Sequence, residues 1–596
     1  MILRRIAQRW VAAGLLAALG MSIEGAAQAQ VRLIVPGTIS IRQTQADPAA
    51  PIATLPSLLP NEPLPRLAVP DDLGVAPEMP PAGVVAPAGD AALAPGGRFV
   101  RDGIDWAHVP VVPVPLPKPG FLVIPPAGPG YYSALDCVLG NEREKPPASQ
   151  YPRFGLNAFR FFDASFAYLG KPNNTDHDYL DPLKRIYLCD DFLLSFGGEF
   201  RYHHINETDY LGNARGSNNY YNRYRTRLFA DLWYLDYFRV YVEGIDSRAD
   251  SFKPPLVPGA NDQNHLDLLN AFVDVKIPFL DEGTDRNTYA RVGRQELLYG
   301  SQRLVSPVEF TNTRINFQGV SAFSRGKEFD VDAFVVNPVT HTVDKFDSVD
   351  DKQLFLGSWL TYRPVKGQSM ELYYLNLSNA NHTFTGRRGA KGGYDVNTVG
   401  TRYSGRYENF LFDFEGIYQF GTFVNQTSTA GATIAEIGYQ FKDVAMNPQV
   451  WLGYDWASGG SATGSSRHTF NQLFAFGHYY QGQADIVGRQ NVNDLSAQFV
   501  FYPTNWITAS TQYHVFYLDN ARDSLYNKAG VASRTSANGS AGTNVGRELD
   551  FLVNFHLTNH SDIQFAYSHF FAGSFLAKTG SGKDIDFSYA QYTFRF

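Results

Sequence analysis

Arg223, Arg225 and Arg227 stand two residues apart, interleaved with Tyr224, Thr226 and Leu228. In an extended strand such residues share a face, so the spacing lines three guanidiniums along one side of one element. Guanidinium keeps its charge and grips carboxylates or phosphates through two parallel hydrogen bonds. The chemistry is recognition of anions rather than bond making. Arg201 follows Glu199 by two, Arg291 comes shortly before Arg294, Arg314 alternates with Asn316 and Gln318, and Arg402 shares a face with Thr398, Gly400 and Ser404. Two uses are open. The arginines pair with acids such as Glu199, Glu243, Asp413 and Glu415 and stiffen a polar interior. Or they form an electropositive constriction whose field steers anionic solutes, with the weak, repeated sites that conduction needs.

The remaining candidates for chemistry are sparse. There is no Gly-x-Ser-x-Gly elbow and no His-Glu-x-x-His. His203 and His204 are adjacent, so on a strand they point to opposite faces. No serine is visibly positioned beside His478, His514, His556 or His569 for an outer-wall hydrolase. Gly459-Gly460 reads as a loop, because no strand-to-helix context makes it a phosphate cradle. The two cysteines, Cys137 and Cys189, form a candidate disulfide in an oxidising compartment; neither has the histidine spacing of a zinc site. A net charge of −7 argues against a nucleic-acid partner. The chain reads as a non-enzyme with no cofactor and no metal.

The elements that position the arginines repeat. From residue 151 to 596, segments of about ten residues alternate apolar and polar side chains between Gly-rich turns. Phe410, Phe412, Phe414, Tyr418 and Phe420 alternate with Leu411, Asp413, Glu415 and Gln419. Phe329, Val331, Ala333 and Val335 alternate with Asp330, Asp332 and Phe334, and Phe551, Val553 and Phe555 oppose Asp550 and Asn554. Roughly 450 residues at about 25 per strand and connection give about 18 strands, an antiparallel transmembrane β-barrel. Arginines facing lipid would cost roughly 2–4 kcal/mol each at the midplane, so the stripe faces the lumen or lies beyond the membrane. Ser458 to Ser466 and Ala529 to Gly546 read as extracellular surface loops. The chain ends Tyr592-Thr-Phe594-Arg-Phe596, an alternating aromatic terminus of the kind offered to the barrel assembly machinery, with its rings at the membrane interface.

The chain ahead of the barrel differs. Residues 1–29 have the basic start, short apolar run and Ala27-Gln28-Ala29 end of a signal peptide. No later run is apolar over about 18 residues. Residues 30–150 form a Pro/Ala-rich periplasmic segment: 21 of the 35 prolines lie between Val31 and Gly130. Proline lacks the backbone donor that a regular ladder needs, so this segment is expected to be extended or disordered. It is a spacer or a strap for a periplasmic partner.

Several stretches, in order, resemble the alginate-export outer-membrane porin family. They are Gly197-Gly-Glu-Phe-Arg201, the strand Arg225 to Phe229, Tyr289 to Gly300 with Gly293-Arg-Gln, Arg303, Phe310 to Phe317, Val399-Gly-Thr-Arg402, Trp451 to Gly460 with Asp455, and Gly546 to Asp550. The resemblance implies a monomeric 18-stranded barrel in the outer membrane, set in lipid and lipopolysaccharide. Its arginine-rich pore would pass an anionic polysaccharide out of the cell. A periplasmic export partner is a further candidate partner of the chain. The resemblance also implies a pore role for Arg225 and places Arg294 in a Gly-Arg-Gln turn. Glu296 and Asn270-Ala271 stand where the exporter has pore arginines, and Arg467 to Arg489 has no clear counterpart. Alternatives are an uptake porin for small anions or sugar acids, and a plugged structural or adhesive barrel. Arg225→Glu is expected to lower anion selectivity and leave the barrel folded.

Overall fold

The computed structural model describes residues 128–147 and 160–596, apart from 172, 173, 175, 190, 210–217, 252–260, 387, 388, 462 and 463. The expected signal peptide, and the proline-rich segment up to residue 127, lie outside the described residues.

Eighteen strands form the wall. In chain order they are β1 (Phe192–Thr208), β2 (Asn219–Tyr234), β3 (Phe238–Ser251), β4 (Asn264–Lys276), β5 (Asn287–Gln295) and β6 (Phe317–Arg325). Then come β7 (Phe329–Thr340), β8 (Gln353–Tyr362), β9 (Gln368–Thr385), β10 (Lys391–Tyr407), β11 (Phe410–Phe423) and β12 (Gln426–Gln440). The wall ends with β13 (Gln449–Ala457), β14 (Val492–Thr504), β15 (Ile507–Tyr517), β16 (Asn544–His556), β17 (Ser561–Ala572) and β18 (Ile585–Arg595). Each strand pairs antiparallel with its sequence neighbours. β18 returns to β1 in the register Glu199↔Arg595 and Tyr202↔Tyr592. Closure leaves no sheet edge with unpaired backbone groups, which is the condition for crossing a bilayer with strands. No helix among the described residues is long and apolar enough to cross one. The wall starts at Phe192 rather than near residue 151. The described residues before it make a short helix, Ala134–Leu139, 3-10 turns and a strand, Ile186–Leu188, that pairs with the start of β1.

The two-residue alternation appears directly in burial. On β11, Phe410, Phe414, Tyr418 and Phe420 are exposed, while Leu411, Asp413, Glu415, Ile417 and Gln419 are buried. On β7, Phe329, Val331, Ala333 and Val335 are exposed while Asp330, Asp332 and Phe334 are buried. Charged and amide groups are therefore inside, and large apolar side chains such as Leu228 (58%) and Ile437 (56%) are outside. An apolar band of this extent is costly in water and suits lipid.

Connections after even-numbered strands are short, such as 408–409 and 505–506. The three longest, 296–316, 458–491 and 518–543, all follow odd-numbered strands and so lie at the other end. Short periplasmic turns and longer extracellular loops are the usual arrangement. The long connections turn inward instead of spreading over the surface. Leu297, Leu304, Val305 and Phe310 of the first, and Phe470, Phe476, Ile486 and Val487 of the second, are nearly fully buried. Val305 and Phe474 form a parallel bridge inside the barrel, with Ser306 N–H donating to Phe474 O at 3.0 Å and Phe474 N–H to Leu304 O at 2.9 Å. Gly300 allows this path: its φ is +54°, and a Cβ there would stand 2.7 Å from Trp359 Cζ2. The stretch expected as a surface loop over Ala529 to Gly546 is divided, because Gly546 already belongs to β16.

Candidate functional site: the barrel interior

β2 places Arg223, Arg225 and Arg227 on its inner face, alternating with Tyr224, Thr226 and Leu228. Arg201 of β1 lies directly opposite Arg225 in the ladder. Two facing guanidiniums repel, and the inward connection 296–316 resolves the conflict. Arg201 donates to Glu309 O at 2.7 Å and Thr311 O at 2.6 Å. Arg225 donates to Glu199 Oε1 at 2.6 Å and also to the Glu309 carboxylate. Glu199 further accepts from Arg595 Nε at 2.8 Å. Next along, Arg227 meets Glu243 Oε1 at 2.7 Å, and Arg314 is clamped between Glu296 and Glu309. Arg201, Arg225, Arg227, Arg314 and Glu199 are each at most 1% exposed.

The other arginines fall into separate pairings. Arg223, near the extracellular mouth, holds Asp262 at 2.8 Å. Arg291 of β5 grips Asp274 with two bonds of 2.7 and 2.9 Å. Arg402 of β10 does the same to Asp413 at 2.7 and 3.0 Å and reaches Glu371 at 3.2 Å. Glu415 accepts from Tyr373 OH at 2.7 Å and from Arg303 at 3.2 Å. The barrel interior thus alternates cations and carboxylates; it is not a bare positive stripe.

Two placements differ from the sequence reading. Arg294 does not share the lumen face with Arg291: they stand three positions apart, an odd step on a strand. It lies on β5 rather than in a turn, held by Leu268 O at 3.1 Å and Asp347 O at 3.0 Å. Arg314 lies on the inward connection, so the expected alternation with Gln318 breaks where β6 begins, and Gln318 points outward. Cys137, on the short helix Ala134–Leu139, and Cys189 are free and exposed, so the candidate disulfide is not formed. Tyr592, Phe594 and Phe596 are half-buried and alternate with buried Gln591, Thr593 and Arg595. Phe596 exchanges two backbone hydrogen bonds with Gly198, of 2.9 and 3.0 Å.

Sequence reasoning gives Arg303 and Arg489 no partner and does not single out Glu309, because all three act from inward connections. Arg303 joins Asp413, Glu415 and Glu436 at 3.1, 3.2 and 2.8 Å. Arg489, within the Arg467 to Arg489 stretch, joins Asp455. Burial and polar partners on both wall and loops leave a cavity of about 600 Å³ at the mouth, lined by Arg223, Asp262, Phe310, His478 and Lys528 among others. His478 stacks on Phe310 with ring centres 3.5 Å apart. Adjacent His203 and His204 point to opposite sides, the first fully buried. Among the described residues, no group of three or more His, Cys, Asp or Glu is arranged to hold a metal ion.

Solved structures of similar form include Pseudomonas aeruginosa OccK2 (OpdF), at 11% identity and a TM-score of 0.46, covering 68% of this chain and 97% of that one. Another is Pseudomonas aeruginosa OccD3 (OpdP), at 12% identity and a TM-score of 0.45, covering 68% and 91%. No curated protein matches the chain. A family model described as alginate export matches residues 192–588, from the first residue of β1 into β18. The closed wall, its lipid-suited outer face and this match over more than half of the chain have one conclusion: the chain belongs to the alginate export family and is an outer-membrane β-barrel channel.

Proposed function

We propose that the channel passes an anionic polysaccharide or oligosaccharide, alginate-like, out of the cell. One observation carries the reading: Arg201, Arg223, Arg225, Arg227, Arg291, Arg314 and Arg402 all reach the barrel interior, each already beside a carboxylate or a carbonyl. A sugar carboxylate can exchange with a wall carboxylate at such a guanidinium without exposing a bare charge. Alternating partners keep each site weak, which suits passage over capture. A periplasmic partner supplies polymer, and the barrel assembly machinery, reading Tyr592, Phe594 and Phe596, inserts the chain in a lipopolysaccharide-bearing membrane.

In planar bilayers, an oligouronate added on the periplasmic side should block ionic current, and Arg223→Gln should raise the blocking concentration several-fold. Deleting the gene should abolish secreted acidic polymer. An uptake porin would instead give a growth defect on a small sugar acid with polymer secretion intact. Absence of block and unchanged secretion together would sink the export reading.

A further inference from the structure

Residues 160–171 do not belong to the wall, yet they lie inside it. Phe161 and Phe162 are 2% exposed, an unusual state for residues that precede the first barrel strand. Their partners are inner-face residues of β2, β3 and β4. Phe161 meets Phe229 with ring centres 5.4 Å apart. Phe162 stands edge-on to Tyr241 at 5.6 Å and to Phe272 at 5.1 Å. Phe166 joins the same cluster.

The segment also takes up three lumen arginines. Arg227 lies 4.2 Å from the Phe161 ring centre and Arg291 lies 4.6 Å from that of Phe162. Arg239 donates to Phe162 O at 2.8 Å. A cation over an aromatic face is attracted by the ring quadrupole, so Arg227 and Arg291 keep their carboxylate partners while a phenylalanine of the segment covers each guanidinium. Arg160, bonded to Asp163 at 2.6 Å, reaches Glu296 O at 3.5 Å. Glu296 is where the inward extracellular connection begins. The approach segment from one end and the loop from the other therefore meet within the barrel.

Described residues before and after this segment touch one periplasmic turn. Leu135 N–H donates to Leu557 O at 3.0 Å, and His560 pairs with Asp178 at 2.8 Å. Residues 557–560 are the turn between β16 and β17, which fixes the end from which residues 160–171 enter. Within 160–171 the backbone makes only the 3-10 turns Phe161–Asp163 and Ala167–Gly170, with no strand pairing to the wall. The segment is seated by side chains, so it can leave without opening the β-ladder.

We propose that residues 160–171 are a retractable plug. Seated, they close the periplasmic half of the lumen; withdrawn toward the periplasm, they uncover Arg227, Arg239 and Arg291 to passing solute. The proposal rests on the barrel being a conduit, but not on what it carries.

The test is potassium chloride conductance of the full chain in planar bilayers. Phe161→Ala/Phe162→Ala should raise the time-averaged current several-fold over the unaltered protein. In a Cys137→Ser/Cys189→Ser background, Phe162→Cys paired with Phe272→Cys should stay closed when oxidised and recover openings on reduction. Equal currents from the unaltered protein and a folded double-alanine variant, verified by heat-modifiable gel mobility, overturn the plug. If the double-alanine variant does not fold, equal currents from the oxidised and reduced cysteine pair overturn it. Neither measurement involves a polyanion, so failure here and failure of the export reading remain distinguishable.

Discussion

Arg225 is the residue at which the two uses of the arginine stripe meet. It faces the lumen, yet it is fully buried between Glu199 and Glu309. Taking one member from a buried ion pair typically costs about 3–5 kcal/mol, because the partner charge is left uncompensated. Arg225→Met should lower stability by about that amount in urea titrations of the detergent-solubilised barrel; a loss under about 1 kcal/mol would contradict the clamp. Arg225→Glu, expected from the sequence to spare the fold, would set a third carboxylate beside Glu199 and Glu309 and should be worse. Arg223 is the better probe of solute contact, since it lines the open mouth with Asp262 as its partner. The same logic explains Glu296. It stands where the family resemblance implies an arginine, and the charge is supplied instead by Arg314, which comes to it on the connection.

Among the elements, the connections carry more of the site than strand alternation suggests. Arg303 ties 296–316 to Asp413, Glu415 and Glu436 on β11 and β12. Arg303→Gln should therefore speed amide hydrogen exchange in 296–316, while the β11 and β12 amides stay protected; equal exchange in both would deny the tether. At the opposite end, Lys184 sits over the Phe166 and Phe229 rings at 4.5 and 5.2 Å. Burial pushes its amine down to about 7, with Asp181 opposing the shift. The folded state thus sheds this proton before the unfolded chain does. Stability from this group is greatest above its ordinary range near 10.5 and is lost as pH falls through about 7. Unfolding midpoints should rise from pH 7 to pH 10, and Lys184→Met should flatten that rise; an identical slope in the variant would remove Lys184 from the account.

For the whole molecule, closure joins the two ends of the wall. Glu199 of β1 and Arg595 of β18 are cross-strand partners and form an ion pair, and Phe596 bonds Gly198. Removing Phe596 takes away both a terminal aromatic and these two backbone bonds. The outer membrane should then hold several-fold less heat-modifiable barrel, and an unchanged level would deny the terminus its assembly role. Cys137 and Cys189 are both exposed, so both should react with a maleimide in the purified protein without prior reduction. Failure of both to label until a reductant is added would show that they pair.

The alternation of Phe410 to Phe420 and of Phe329 to Val335 was enough to determine strands with one greasy and one polar face, because side-chain direction on a strand depends only on parity. Parity also placed Arg223, Arg225, Arg227 and Arg402 on the inner face, and it could have placed Arg294 on the other face from Arg291. Length and turn spacing gave about eighteen strands, and closure then followed from the need to leave no open edge in lipid. What parity cannot determine is which irregular segments enter the cylinder. The partnership of Arg201 and Arg225 with Glu309, of Arg314 with Glu296, and of Phe161 and Phe162 with Arg227, Arg239 and Arg291 joins residues far apart in the chain through stretches with no repeating pattern. Only the tertiary structure decides those contacts, since they depend on the volume inside the closed wall and on which buried charges still need a partner.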